Sequence, residues 1–272
     1  MSYIDSPNKK LLHPPYEHRS AKLDEKDNAF TSKKFQRVRN VSTRKKILKS
    51  FRRIGMFLNN TPISIMPIED LNKVCFILIN DYNSDENKYR VGPLNDGYLI
   101  ALKHYRLGFK VFYLYNSKIN QFPFFLQFFM NNTADTLTVF YTGNESNSES
   151  IKFKDGNLSK NYIQKIISSN CNGKLRVVFI TDNLGGGSFF DITRCSNAIS
   201  FSVKKTEPNQ SKENKRSHGI FTYYFCKMIG DKPIITPNAF VEQTKQSLIR
   251  FNEIVICELT DDELGNRPIL FG

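Results

Sequence analysis

Val74-Cys75-Phe76-Ile77-Leu78-Ile79 is an unbroken apolar run of strand length. A strand with one face in water alternates apolar and polar side chains, so an uninterrupted run is expected in a strand buried on both faces of a sheet. Downstream, Pro93 to Leu107 carries Leu94, Tyr98, Leu99, Leu102 and Tyr105 on one helical stripe, with Asn95 as candidate cap and Gly108 as terminator. Val111 to Tyr115 makes a second strand. Ile119 to Asn131 makes a helix with Phe122, Phe125, Leu126 and Phe129 on its apolar face, and Leu137 to Tyr141 a third strand. A polar loop from Gly143 to Ser150, a short hairpin over Ile151 to Asn157 and a helix over Lys160 to Ser169 precede a fourth strand, Leu175 to Thr181. Ala198 to Val203 reads as a fifth strand and Lys204 to Ser217 as a polar loop. Helices over Ile220 to Ile229 and Phe240 to Arg250 and a sixth strand, Ile254 to Leu259, complete the chain. This alternation predicts an α/β fold, an about six-stranded, mainly parallel sheet flanked by helices on both faces.

The charge is unevenly placed. Residues 1–60 hold 15 Lys and Arg against 5 Asp and Glu, so +10 of the net +13 belongs to this N-terminal arm. The body, residues 61–272, is close to neutral. Within the arm, Lys33, Lys34, Arg37, Arg39, Arg44, Lys45, Lys46, Lys49, Arg52 and Arg53 form a run without an acidic residue. Residues 1–32 read as disordered. Ile47, Phe51, Ile54 and Leu58 recur at helical spacing, which predicts an amphipathic basic helix near 42–59, capped by Ser42 or Thr43. Such a helix docks on the body, binds nucleic acid or anionic lipid, or carries a nuclear-targeting signal. These readings stay open. The apolar fraction, 40% with 23 Phe, excludes wholesale disorder. No apolar run reaches the roughly 18–20 residues a transmembrane helix needs, and the polar opening from Met1 to Glu17 is unlike a secretory signal. Cys75, Cys171, Cys195, Cys226 and Cys257 lie without CxxC or metal-ligand spacing, as expected of reduced, buried thiols. The expectation is an intracellular protein, cytoplasmic or nuclear.

In an open α/β sheet, chemistry gathers beyond the carboxyl ends of the strands. Those ends are Tyr141-Thr142-Gly143-Asn144-Glu145 and Thr181-Asp182-Asn183-Leu184-Gly185-Gly186-Gly187-Ser188. The glycines after Leu184 fit a tight connection, and they also fit an anion-cradling turn, although no Lys-Ser/Thr follows as in a P-loop. Asp182, Asn183, Glu145 and Asp81 are a candidate cation set, and equally a set of caps and solvated loop residues.

The order of elements resembles the peptidase domain of metacaspases, the caspase-related cysteine peptidases, over roughly Lys73 to Met228. In that family an Asn-containing loop opens the first helix, as in Pro93-Leu94-Asn95-Asp96. A helix ending in Gly-Phe leads to the second strand, as in Leu107-Gly108-Phe109, and a later helix opens much as Gly219-Ile220-Phe221-Thr222-Tyr223 does here. The family's third strand ends in Tyr-Ser-Gly-His-Gly, which supplies the catalytic His, and its fourth in Asp-Ser-Cys-His-Ser-Gly, which supplies the nucleophile. Tyr141 and Gly143 match; Asn144 stands where the His belongs and Glu145 where the second Gly belongs. Asp182 and Asn183 stand on the Asp-Ser pair, and Leu184 on the Cys. Leu has no nucleophilic atom, and an Asn amide does not titrate near neutral pH.

The resemblance therefore implies a catalytically inactive, metacaspase-like pseudo-peptidase. Its former active-site cleft, Tyr141, Gly143, Asn144, Glu145, Asp182, Asn183, Leu184 and Gly185, would capture a protein or peptide partner, among them an active metacaspase that it regulates. The family's acidic pocket residue after the fifth strand falls near Lys204 and Lys205, an alteration that would favour acidic groups. No cofactor is expected, Ca²⁺ entering through the resemblance alone. Two alternatives remain: a nucleic-acid or anionic-membrane adaptor working through the arm, and an active hydrolase with a relocated dyad built from Cys171, Cys195, Ser188 or His218.

Overall fold

The computed structural model describes residues 41–66, 69–81, 92–143, 145–147, 149–171, 173–183, 189–205, 219–231 and 234–270, all within the unit Val38–Gly272. Helix α1 (Val41–Ile54) leads into strand β1 (Gly55–Phe57). β2 (Lys73–Asn80), α2 (Gly92–Arg106), β3 (Lys110–Tyr115), α3 (Gln121–Asn132) and β4 (Thr136–Gly143) follow. A small antiparallel sheet of β5 (Glu145–Asn147), β6 (Ser150–Phe153) and β7 (Gly156–Ser159) precedes α4 (Lys160–Asn170) and β8 (Arg176–Asn183). The chain continues through β9 (Ala198–Lys205), α5 (Ile220–Asp231), α6 (Pro237–Ile249) and β10 (Glu253–Leu259). The main sheet has seven strands in the order β1-β3-β2-β4-β8-β9-β10, parallel except for β10, which runs antiparallel to β9. Among the described residues no helix is long and apolar enough to cross a membrane.

The apolar run from Val74 to Ile79 explains the layering. Successive side chains of a strand point to opposite faces. Cys75, Ile77 and Ile79 accordingly join one core with Tyr113, Phe140, Ile180 and Phe201, which α1, α2, α5 and α6 cover. Val74, Phe76 and Leu78 join the other with Phe112, Val139, Tyr141 and Phe179, which α3 and α4 cover. Every residue of β2 from Val74 to Asn80 is buried. On the second face Phe76 packs on Phe122, Phe125 and Phe129, with ring centroids 5.0–6.5 Å apart.

Local differences from the sequence expectation have physical causes. α2 begins at Gly92, so Asn95 is a buried residue inside the helix and not its cap. Ser42 and Thr43 lie in the first turn of α1, which starts at Val41. The basic helix stops at Ile54 and not at Asn59, because Gly55 to Phe57 pair with Val111 to Tyr113 as the edge strand β1. That pairing holds Gly55 tightly: a Cβ there would stand 2.9 Å from Val111 Cγ1. β1 is the seventh strand; three residues are too few to show a period.

Helix α1 is bonded to the body by rings. Phe51 is fully buried, stacked on Tyr113 at 3.9 Å and edge-on to Tyr98 at 5.9 Å. Ile47 is buried beside it. The Arg44 guanidinium lies over the Tyr115 ring, 5.1 Å from its centroid, a cation–π contact. The Tyr115 hydroxyl donates to Asp81 at 3.4 Å. Asn59 closes the same edge, donating to the Tyr115 carbonyl at 2.7 Å and accepting from its N–H at 3.0 Å.

Burial pushes the Asp81 carboxyl up to about 6, against the attraction of Arg44 and the hydrogen bond from Tyr115. A carboxyl whose folded value is raised stabilises the fold below its unfolded value near 3.8, and that contribution fades as pH rises through about 6. Replacing it by Asn removes the dependence. Between pH 4 and 7, Asp81→Asn is therefore expected to gain roughly 3 kcal/mol relative to wild type in urea unfolding, two pH units at 1.36 kcal/mol each. Phe51→Ala is expected to cost about 3–5 kcal/mol at neutral pH in the same measurement.

Candidate functional site

The parallel register of β4 and β8 sets Thr142 beside Asp182 and Gly143 beside Asn183, at the carboxyl edge of the sheet. On its other side β4 pairs with β2, Gly143 opposite Asn80. The strands approach closely there. A Cβ on Gly143 would lie 2.6 Å from the Asn80 carbonyl oxygen and 2.9 Å from its Cβ, so only glycine fits without a shift. Asn80 is buried and donates through Nδ2 to the Lys152 carbonyl at 2.7 Å, tying the small sheet to the tip of β2. The helix after β2 covers one face of the main sheet and the helix after β4 and the small sheet covers the other. β2 and β4 therefore flank a topological switch point, where α/β sheets place ligands.

The sequence-derived cleft residues divide. Tyr141 is fully buried on the α3–α4 side, edge-on to Phe189 with ring centroids 5.7 Å apart. Gly143, Asp182 and Asn183 stand at the edge itself, the last two half-buried. Asn144, Leu184, Gly185 and Ser188 lie outside the described residues, as do His218 and, in the basic patch, Lys33, Lys34, Arg37 and Arg39. Glu145 starts β5, in register with Ile151. Lys204 is exposed, and with Lys205 it ends β9, opposite Ile254 and Glu253 of β10.

One arrangement at this edge escaped the sequence reading. The Asp182 carboxylate, at the end of β8, accepts from the Thr222 N–H at 3.1 Å and from the Thr222 hydroxyl at 2.5 Å. Asp96, buried in the first turns of α2, accepts from the Gly219 N–H at 2.8 Å. Two carboxyl groups from separate elements thus accept from N–H groups at the start of α5, Gly219 just before the helix and Thr222 in its first turn. Gly219 is required between them, since a Cβ there would overlap the Asp182 carboxylate. Burial holds the Asp96 carboxyl well above the usual carboxylate range. The Asp182 and Glu253 charges push it the same way, and the Gly219 N–H opposes them. The available signal was an acidic residue directly after Leu94 and Asn95, on the buried side of an otherwise apolar helix.

The cysteines correct an expectation. Cys171 and Cys195 are joined by a disulfide, with S–S 2.00 Å and Cα–Cα 5.2 Å. They are 24 residues apart in sequence, yet one precedes β8 and the other β9, adjacent parallel strands whose amino ends lie side by side. Linear spacing cannot register that neighbourhood, and with the bond the cysteine pattern no longer argues for a reducing compartment. The other three are free. Burial raises the Cys75 and Cys226 thiols far above the ordinary value and Cys257 to about 12. His104 is also buried, bonded to the Ile100 carbonyl at 2.8 Å and the Thr138 hydroxyl at 3.2 Å, and burial lowers it to about 4. Among the described residues no three of His, Cys, Asp and Glu converge as a cation site would require.

No protein-family model matches the chain, and no curated protein sequence does. Solved structures do. Caspase-1 from Spodoptera frugiperda is 13% identical, over 74% of this chain and 93% of that one, with a TM-score of 0.53. The structure of pro-Sf-caspase-1 is 14% identical, over 74% of this chain and 94% of that one, with a TM-score of 0.55. At such identity the likeness is one of architecture: the chain has a caspase-like α/β fold.

Proposed function

We propose that this chain is a catalytically silent caspase-fold protein, similar to metacaspases in its order of elements, that acts by binding a protein or peptide at the carboxyl ends of β4 and β8. The observation that carries the reading is the register of Gly143 with Asn183. In sequence, Asn144 and Leu184 follow directly on these two strand ends, at the positions where the resembling family keeps its base and its nucleophile. Acyl transfer needs a group to attack the carbonyl and a group to move its proton. An amide and an isobutyl side chain offer neither, while the surrounding frame persists.

The remaining thiols support the same reading. A relocated dyad needs a thiolate at neutral pH, and Cys171 and Cys195 are spent on each other. Cys75, Cys226 and Cys257 are held protonated by burial. Asp96 and Asp182, which would otherwise be candidate acids, are engaged at the start of α5. The partner class that suits a cleft between strand ends is an extended peptide segment, and a segment of an active relative would make the chain its regulator. Lys204 and Lys205 bias such a cleft towards acidic side chains.

Purified protein incubated with mixed peptide libraries, with and without Ca²⁺, is expected to cleave nothing. Leu184→Cys alone and Asn144→His alone are expected to stay inert, because each restores one half of a two-part chemistry. Cleavage by the wild type, whether or not it survives Cys171→Ala and Cys195→Ala, would overturn the proposal. Peptides retained by the wild type are expected to lose about tenfold in affinity, 1.4 kcal/mol, in Leu184→Arg; unchanged retention would place the binding surface elsewhere.

A further inference from the structure

We propose that the solvent face of α1 binds the phosphodiester backbone of nucleic acid, independently of the strand-end cleft. Lys45, Lys46, Lys49, Arg52 and Arg53 are all exposed on this helix, which holds no acidic residue. A depression of about 500 Å³ runs between Lys45, Leu48, Lys49, Arg52 and Arg53. Among the described residues no carboxylate pairs with Lys45, Lys46, Lys49 or Arg53. A solvated face of this kind on an ordinary surface helix carries acidic residues four positions from its lysines; here that compensation is missing.

Geometry favours a polyanion over isolated anions. Lys45, Lys49 and Arg53 follow one another at four-residue steps, so at a rise of about 1.5 Å per residue they span about 12 Å. Over that length duplex DNA presents roughly seven charges. The row is also held in place. Phe51 and Ile47 anchor the opposite face of α1 in the core and β1 continues it into the main sheet, so the helix backbone is ordered before binding and only the cationic side chains remain to be fixed.

The same packing argues against a membrane surface. An interfacial helix works by burying its apolar face among acyl chains. The apolar face of α1 is already buried in the protein, with Leu48 and Ile54 half-covered, and from Arg44 to Ile54 its exposed side chains are all cationic. What remains is a rigid cationic row without base-reading geometry, so the expected binding is sequence-independent.

The test uses the full chain and two probes, a short fluorescein-labelled DNA duplex and a single-stranded RNA, read by anisotropy. With four phosphate contacts, duplex affinity is expected to fall on the order of 100-fold between about 50 and 200 mM salt. Lys45→Glu/Lys49→Glu/Arg53→Glu is expected to lose at least about tenfold at the lower salt while keeping the wild-type melting temperature, because these side chains are exposed and lie outside the core. A neutral Lys45→Gln/Lys49→Gln variant, with less repulsion along the helix, gives the same reading if the triple variant folds poorly. Lys33→Gln/Lys34→Gln/Arg37→Gln/Arg39→Gln is expected to lose less than the α1 variants do. Undiminished binding by the α1 variants, loss confined to the residue 33–39 variant, or binding to phosphatidylserine vesicles without binding to either nucleic acid would each overturn the proposal.

Discussion

The parallel pairing of β2, β4 and β8 is the constraint on which the rest of this structure depends. Parallel strands cannot be joined by tight turns, so each needs a crossover that covers a face of the sheet. Covered faces require apolar side chains on both sides of every central strand, which is why β2 is buried from Val74 to Asn80. The same pairing puts all the carboxyl ends on one edge. Gly143 is then squeezed against Asn80, and Asp182 is carried to the start of α5. The edge is thus a product of the sheet, whether or not chemistry is done there.

The edge also carries the scaffold that fixes the start of α5. The carboxylates of Asp96 and Asp182 hold the first turn of α5, and Gly219 lets them approach it from both sides. This network joins α2, β8 and α5, three elements far apart in sequence. Asp96 is buried and Asp182 half-buried, so their bonds to Gly219 and Thr222 tie these elements together where the parallel strands end.

Legibility in the sequence followed the range of the interaction that decides each feature. β2, β3, β4 and β8 were readable because their burial is written into consecutive residues. α3 was readable from its apolar stripe. β1 was not, since Gly55 to Phe57 owe their conformation to Val111 through Tyr113, more than fifty residues later. The Cys171–Cys195 bond failed for the same reason: it follows from the order β4-β8-β9 and from nothing in the spacing of the two residues. At the edge, Asp182 and Gly143 were found by pattern. Asp96 was missed because its partner, Gly219, sits 123 residues away, and the neighbouring Asn95 attracted the capping role instead.

The placement of charge shows why the N-terminal arm cannot be treated as a detachable tail. By composition it is one block of 60 residues, which invites deletion as the natural experiment. The structure divides it within that block. From α1 onward it contributes a core ring, Phe51, a sheet strand, β1, and a backbone clamp at Asn59. Removing residues 1–60 would strip an edge strand from β3 and expose Tyr113, so lost binding in such a deletion would report lost structure as readily as lost charge. Substituting exposed cations leaves the buried face of the helix intact, and so separates what α1 does for the fold from what its charges do beyond it.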